Sequence, residues 1–313
     1  MKTMKRLMAV VVFALALSFM LADCTSVEAA VPKRQAGVIY VNPQSDGWGD
    51  IVWKSFTKLR MGINNDASFN VYFGREGDYI TDVKVNKKSG LIAGVTYQNN
   101  SYYDADYDWS SYGTIGLVSS KSGTYTVSFT VRKADGSVAG NYKVKVYAYP
   151  TGTVKTAKLG SKTVYSSTIK QKGTTFTTTS KSSWKVANSL KSAKLKLTPN
   201  KGYKITGLTY VYYNEKGKPV VKTVKNGKTI KLSQQYSYRN YDSEGNYFKA
   251  SKMYTNVYVS YKDTYLGTSV KYSVVKRHNT KMIRMASTST AGEVTYSYYE
   301  LDDNYGYFTF WRY

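Results

Sequence analysis

The chain has 313 residues, with 45 Lys and Arg against 20 Asp and Glu, and it carries one histidine and one cysteine. A single cysteine excludes an internal disulfide framework, and a single histidine leaves imidazole chemistry one candidate. A formal charge of +25 gives a strongly cationic field to anything the surface meets.

Residues 1–30 read as a processing signal. Lys2, Lys5 and Arg6 precede an apolar run over residues 8–22, and Val27-Glu28-Ala29 offers small residues for cleavage after Ala29 or Ala30, so secretion is expected. The run is short for a membrane span, and no second apolar stretch of spanning length follows. Leu21-Ala22-Asp23-Cys24 resembles a bacterial lipobox, which implies lipid anchoring at Cys24 as the alternative; Asp23 stands where that motif has Gly, Ala or Ser. Cleavage would leave no cysteine, which fits export from a Gram-positive bacterium. The final YGYFTFWRY lacks an LPxTG-type sorting signal, so covalent wall anchoring is not expected. What remains, about 280 residues, suits two domains with their own cores.

Residues 31–67 read as a lead-in segment. Val52, Phe56, Leu59 and Ile63 have helix-like spacing, interrupted by Trp53 and by neighbouring Gly and Asn. Residues 68–150 carry regular strand signals: SFNVYFG, the Glu76-Gly77-Asp78 turn, ITDVKVNKK, LIAGVTY, a tyrosine-rich loop, and TIGLVSS. The clearest stretch is 122–150. Tyr125, Val127, Phe129 and Val131 share one parity. After a turn at Asp135-Gly136, Tyr142, Val144, Val146 and Ala148 form a second dry face, with Lys143, Lys145, Tyr147 and Tyr149 opposite. A period of two means half-buried strands, and Asp-Gly tolerates the backbone a hairpin needs. Six or so short strands between turns argue for a β-sandwich.

Gly123-Thr124-Tyr125-Thr126-Val127 resembles the G-x-Y-x-C segment of immunoglobulin-like domains, with Val127 in the cysteine position. The resemblance covers about residues 68–150 and implies an Ig-like sandwich of the Cys-free kind found in bacterial surface proteins. In that family the tyrosine hydroxyl bonds back to nearby backbone and fixes a corner. Lys121 stands in place of the family's usual acidic residue.

Residues 151–183, rich in Thr, Ser, Lys and Gly, read either as linker or as exposed strands. Residues 184–313 read as a basic all-β domain. There Ala193, Leu195 and Leu197 alternate with Lys194, Lys196 and Thr198; a Pro199-Asn200-Lys201-Gly202-Tyr203 turn follows, then KITGLTYVYY, KPVVKTVK, an Asn226-Gly227 turn, KTIKLS and NVYVSYKD, read as one meander. This order resembles the internalin B-repeat type of small β-repeat in Gram-positive surface proteins, with a longer insert at residues 233–253. Strands TSVKYSVV, EVTYSYY and YFTFWRY form a C-terminal β extension, since about fifty residues would be marginal alone. The fold class expected is thus all-β: an Ig-like β-sandwich followed by a second antiparallel β domain with that extension.

The charge is lopsided: +4 over residues 31–150 and +20 over 151–313, with twelve lysines and no acid between Thr151 and Asn214. Outward lysines protect strand edges and keep a protein soluble. The missing acids need more than that, because mixed surfaces are the norm. A field of this sign gathers polyanions with salt-dependent affinity. Lys194, Lys196, Lys201 and Lys204 are the expected electrostatic contacts. Tyr212, Tyr213, Tyr236 and Tyr238 are the expected aromatic ones, tyrosine being both a good strand former and a rigid contact surface. The partner expected is an anionic cell-wall polymer or host glycan. Nucleic acid is not expected, because no recognised nucleic-acid motif accompanies the tyrosines. Asp104, Asp106 and Asp108 have the alternation of a Ca2+ loop, but Trp109 stands at the EF-hand glycine position and Ile115 at its glutamate. A calcium loop of another kind and a solvated acidic loop are the two readings; no other cofactor is expected. His278, in Lys276-Arg277-His278-Asn279-Thr280, reads as a solvated turn with nothing to orient it for a triad. These observations point to a secreted, non-enzymatic surface-associated binding or adhesion protein. A structural or matrix spacer without specific ligand is the alternative, and a carbohydrate-active enzyme comes third.

Overall fold

The structure is a computed structural model that describes residues 35, 37–42, 53–63, 65–100, 111–150, 152–172, 175–187, 189–234, 236–241, 243–252, 254–301 and 306–312. Those residues form strands and connections, with no helix among them. The protein is all-β, in antiparallel sheets with few parallel pairings.

Eight strands make the first module: β1 (Tyr40–Asn42), β2 (Lys58–Met61), β3 (Asp66–Tyr72), β4 (Tyr79–Val85), β5 (Leu91–Asn99), β6 (Tyr112–Ser119), β7 (Gly123–Arg132) and β8 (Val138–Ala148). They form two four-stranded sheets, β1-β3-β6-β5 and β2-β8-β7-β4. The dry faces read from the alternation meet between the sheets. Phe69, Val71, Ile115 and Leu117 pack with Val127, Phe129, Val131, Val144 and Val146 in one core. The segment read as a lead-in supplies β1, which pairs with β3, and β2, which runs parallel to β8. Leu59, at helix-like spacing in the sequence, is therefore a strand residue. Its apolar side chain enters the sandwich core, and burial there outweighs a weak local preference.

The Asp135-Gly136 turn forms as expected, with Gly136 at φ 80° and Asp135 Oδ1 accepting from Ser137 N at 2.8 Å. The Tyr125 hydroxyl donates to the Lys121 carbonyl at 2.8 Å. A Cβ on Gly90 would collide with that hydroxyl, so a side-chain-free residue is required for the close approach. Removing the hydroxyl by Tyr125→Phe is expected to lower stability by about 1 kcal/mol, since a part-buried carbonyl loses its partner; urea unfolding measures it.

The second module contains β9 (Val154–Leu159), β10 (Lys162–Lys172), β11 (Thr175–Ser182), β12 (Lys185–Val186), β13 (Ser192–Pro199), β14 (Tyr203–Tyr213), β15 (Pro219–Val224), β16 (Thr229–Lys231), β17 (Tyr236–Tyr241), β18 (Tyr247–Lys252), β19 (Tyr254–Asp263), β20 (Ser269–Arg277), β21 (Thr280–Thr288), β22 (Val294–Glu300) and β23 (Phe308–Arg312). The Thr/Ser/Lys-rich stretch thus supplies the strands β9, β10 and β11, which join β13 and β16 in one sheet ordered β11-β10-β9-β13-β16. The facing sheet is centred on β14 and β19. Strand β15 borders β14; β23 and β20 pair with different stretches of β19, and β21 and β22 continue from β20. Leu195, Leu197, Leu159 and Ile230 pack against Leu208, Tyr210, Val257, Val259, Phe308 and Phe310.

Two local expectations are corrected here. The Asn226-Gly227 turn does not join neighbours of a meander, because β15 pairs with β14 whereas β16 pairs with β13 of the opposite sheet. The chain changes layer at this point, and the Asn226 amide stands in for a strand: its Oδ1 accepts from Leu197 N and its Nδ2 donates to Leu197 O, both at 2.8 Å. Second, Tyr212 and Tyr213, expected as surface contacts, are buried, because β14 and β19 are covered on both faces. On the side away from the main core, Val211 and Tyr258 pack with Ile283, Tyr272 and Tyr299 of the β20–β22 hairpins.

Candidate anion-binding surface

The outer face of the β9–β13–β16 sheet carries the lysines. On β13 the alternation buries Leu195 and Leu197 and exposes Lys194 and Lys196, as the sequence implies. Register then adds what local parity cannot. Lys196 lies directly opposite Lys158 of β9, Lys194 opposite Thr229, and Ser192 opposite Lys231 of β16. Thr163 of β10 continues the Lys158 row, and Ser166, Thr156 and Thr198 make the next one. Lys158, Lys194, Lys196 and Lys231 are exposed, and none forms an ion pair among the described residues. Like charges set directly across a ladder are destabilising. An array of ammonium groups and hydroxyls without a carboxylate can gather oxyanions along its length.

The other expected contacts are distributed differently. Lys201 is in the turn before β14, and Lys204 is an exposed residue of β14 in the facing sheet; neither belongs to the Lys194–Lys196 face. Tyr212 and Tyr213 are not surface contacts. Tyr213 is fully buried, with its hydroxyl 3.1 Å from that of Tyr254, and Tyr212 is buried beside Tyr210. The cause is the double coverage of β14. Tyr236 and Tyr238 belong to β17, which pairs with β18 as a separate two-stranded ribbon. Asp104, Asp106 and Asp108 lie outside the described residues. No group of three His, Cys, Asp or Glu gathers among the described residues, and no helix among them is long and apolar enough to cross a membrane. His278 and Asn279 form the two-residue turn between β20 and β21, both at positive φ. The tyrosines that do reach solvent on this module include Tyr296 and Tyr298 of β22, with the Arg284 and Arg277 guanidinium carbons 5.2 and 4.8 Å from their ring centres.

A second cationic feature joins the modules. Arg60 of β2 reaches from the first module to Asp263 at the end of β19, at 3.0 Å, with both side chains nearly buried. Its other nitrogen donates to the Lys201 carbonyl at 2.9 Å, and its guanidinium lies 3.9 Å from the Tyr203 ring centre. Tyr265 stacks on Tyr147 with ring centres 4.2 Å apart and planes 2° from parallel. This contact corrects the reading of Tyr147 and Tyr149 as wet-face residues: both are buried, because the second module covers that side of β8. Lys201 Nζ stands 4.8 Å from the Tyr149 ring centre. Burial raises the Tyr149 phenol, but hydrogen bonds with Thr124, Tyr265 and Lys201 and the Lys201 charge outweigh it and hold the group below its ordinary value.

No family model matches the chain, and no curated protein matches it. Among solved structures, the chain is similar to the YadV chaperone at 7% identity and a TM-score of 0.27, covering 83% of this chain and 98% of that one. It is similar to domains 5-6 of the S-layer protein SbsC at 10% identity and a TM-score of 0.22, covering 78% and 93%. At such TM-scores neither likeness carries a statement about activity or fold subtype.

Proposed function

We propose that this is an exported, surface-associated binding protein that holds anionic cell-wall or host glycopolymers without chemical turnover. The observation that carries the reading is the face on which Lys158 opposes Lys196, with Lys194 and Lys231 on the same sheet and no acid anywhere between Thr151 and Asn214. Solubility alone calls for mixed charge; four unneutralised lysines on one sheet favour a polyanion. The first module acts in this reading as an Ig-like spacer. The Tyr125–Lys121 bond supports that subtype, being the kind of corner such sandwiches use.

The test is retention of the full chain on immobilised heparin and on isolated wall glycopolymer over a salt gradient. Replacing Lys158, Lys194, Lys196 and Lys231 with serine is expected to weaken binding at least tenfold and to flatten its salt dependence, as loss of an exposed charge field does. Retention equal to the parent's on both matrices would overturn the proposal.

A further inference from the structure

Beside the Arg60 clasp the two modules enclose a cleft of about 590 Å3, lined by Lys87, Thr124, Lys155, Ser167, Thr168 and Lys201 among others. Its volume falls within the range of small-molecule sites. Three ammonium groups and several hydroxyls line it, with no carboxylate and no arginine.

Lys155 has a specific reason to be there. Thr198 pairs with Thr156 and Pro199 with Val154, so Lys155 is the extra residue of a β-bulge on β9. A bulge breaks the alternation and re-aims a side chain, and such irregularities concentrate beside functional sites. Without it, strict alternation would put Lys155 on the face of Ala157 and Leu159, which are buried. Lys201 is held by a turn that both modules grip: Arg60 binds its carbonyl, and Asn200 Nδ2 donates to the Gly152 carbonyl at 2.9 Å. Lys87 and Thr124 come from the first module. The two walls therefore belong to different modules and are fixed relative to each other by the buried ion pair.

We infer that this cleft seats one tetrahedral oxyanion ester, phosphate or sulfate, of the polymer that the lysine face gathers. The inference rests on the polyanion-binding reading above and adds a defined seat to it. Ammonium groups act as separate point charges and suit an anion whose oxygens point in several directions. Planar carboxylates are better matched by the guanidinium fork, which the cleft lacks. Lys155 and Lys158 share one strand, three residues apart, so about 10 Å separates the seat from the open face. One polymer chain can occupy both.

The experiment compares binding of three size-matched oligomers to the full chain by calorimetry: poly(glycerol phosphate), a heparin fragment, and oligogalacturonate as the carboxylate. Two triple variants are used, Lys87/Lys155/Lys201→Ser in the cleft and Lys216/Lys222/Lys225→Ser as a charge-matched control outside it. The cleft variant is expected to lose at least tenfold in affinity for the phosphate or the sulfate oligomer, and the control no more than about threefold. Which of the two esters suffers more identifies the source of the oxyanion. Equal losses in the two variants, or a carboxylate oligomer bound as tightly and as sensitively as the esters, would overturn the seat while leaving the lysine face standing. An unaltered chain that binds none of the three would instead sink the underlying reading. Should the cleft triple melt early, Lys155→Glu, an exposed single change, is expected to lose at least fivefold for the esters; an unchanged affinity there overturns the seat equally.

Discussion

Replacing Asp263 with alanine is expected to cost about 3–5 kcal/mol and to uncouple the two modules, because it leaves a nearly buried guanidinium without its charge partner. The Arg60 and Asp263 side chains are 9% and 3% exposed. Asp263 also holds the turn that follows it, where Oδ1 accepts from the backbone nitrogens of Tyr265 and Leu266 at 2.8 and 3.1 Å, and Tyr265 is the ring that stacks on Tyr147. The loss therefore spreads from the charge to the stacked tyrosines. Urea unfolding followed by two probes, one reporting each module, is expected to show coincident transitions in the parent and separated ones in the variant. Arg60→Met combined with Asp263→Asn is expected to recover part of the loss, since removing both charges is cheaper than stranding one. Single variants that each change stability by less than about 1 kcal/mol, and that add without coupling, would show that the clasp does not hold the modules together.

Tyr213→Ala is expected to remove about 3–5 kcal/mol of stability, the usual loss for emptying a buried aromatic site, without weakening polyanion binding at temperatures where the variant stays folded. The fully buried side chain packs edge-on against Tyr254 at 5.3 Å and meets its hydroxyl. Tyr213→Phe is expected to lose far less, about 1 kcal/mol, since only the hydrogen bond goes. Thermal melting with calorimetric binding separates the two roles. A Tyr213→Ala protein that melts with the parent but binds weakly would return this tyrosine to the surface role its sequence neighbourhood suggests.

Local alternation carried much of the fold. The dry faces of β7 and β13 and the outward pair Lys194 and Lys196 follow from a period of two, which needs no knowledge of neighbours. Where the alternation fails, the reason is long-range. The run Tyr210-Val211-Tyr212-Tyr213 has no dry and wet sides because β14 is covered twice, a pattern that local reading takes for a sticky surface. Tyr147 and Tyr149 have the parity of a solvated face, and residues of the second module, Tyr265 over both rings and Lys201 beside Tyr149, cover them. Lys158 and Lys231 join Lys194 and Lys196 through cross-strand register, and Lys155 reaches the cleft through a bulge; neither register nor bulge leaves a mark in composition. Asn226-Gly227 carries the usual hairpin signal, yet the strands on either side belong to different sheets.

Strand β23 has a consequence for how the protein comes into being. It pairs with β12 and β19 and contributes Phe308 and Phe310 to the main core, so the second module stays unsealed until residues 308–312 have been synthesised. Contacts that span so much chain form slowly. Such lateness leaves the later half extensible while the chain is being made, and its two layers close only when the last strand takes its place between β12 and β19.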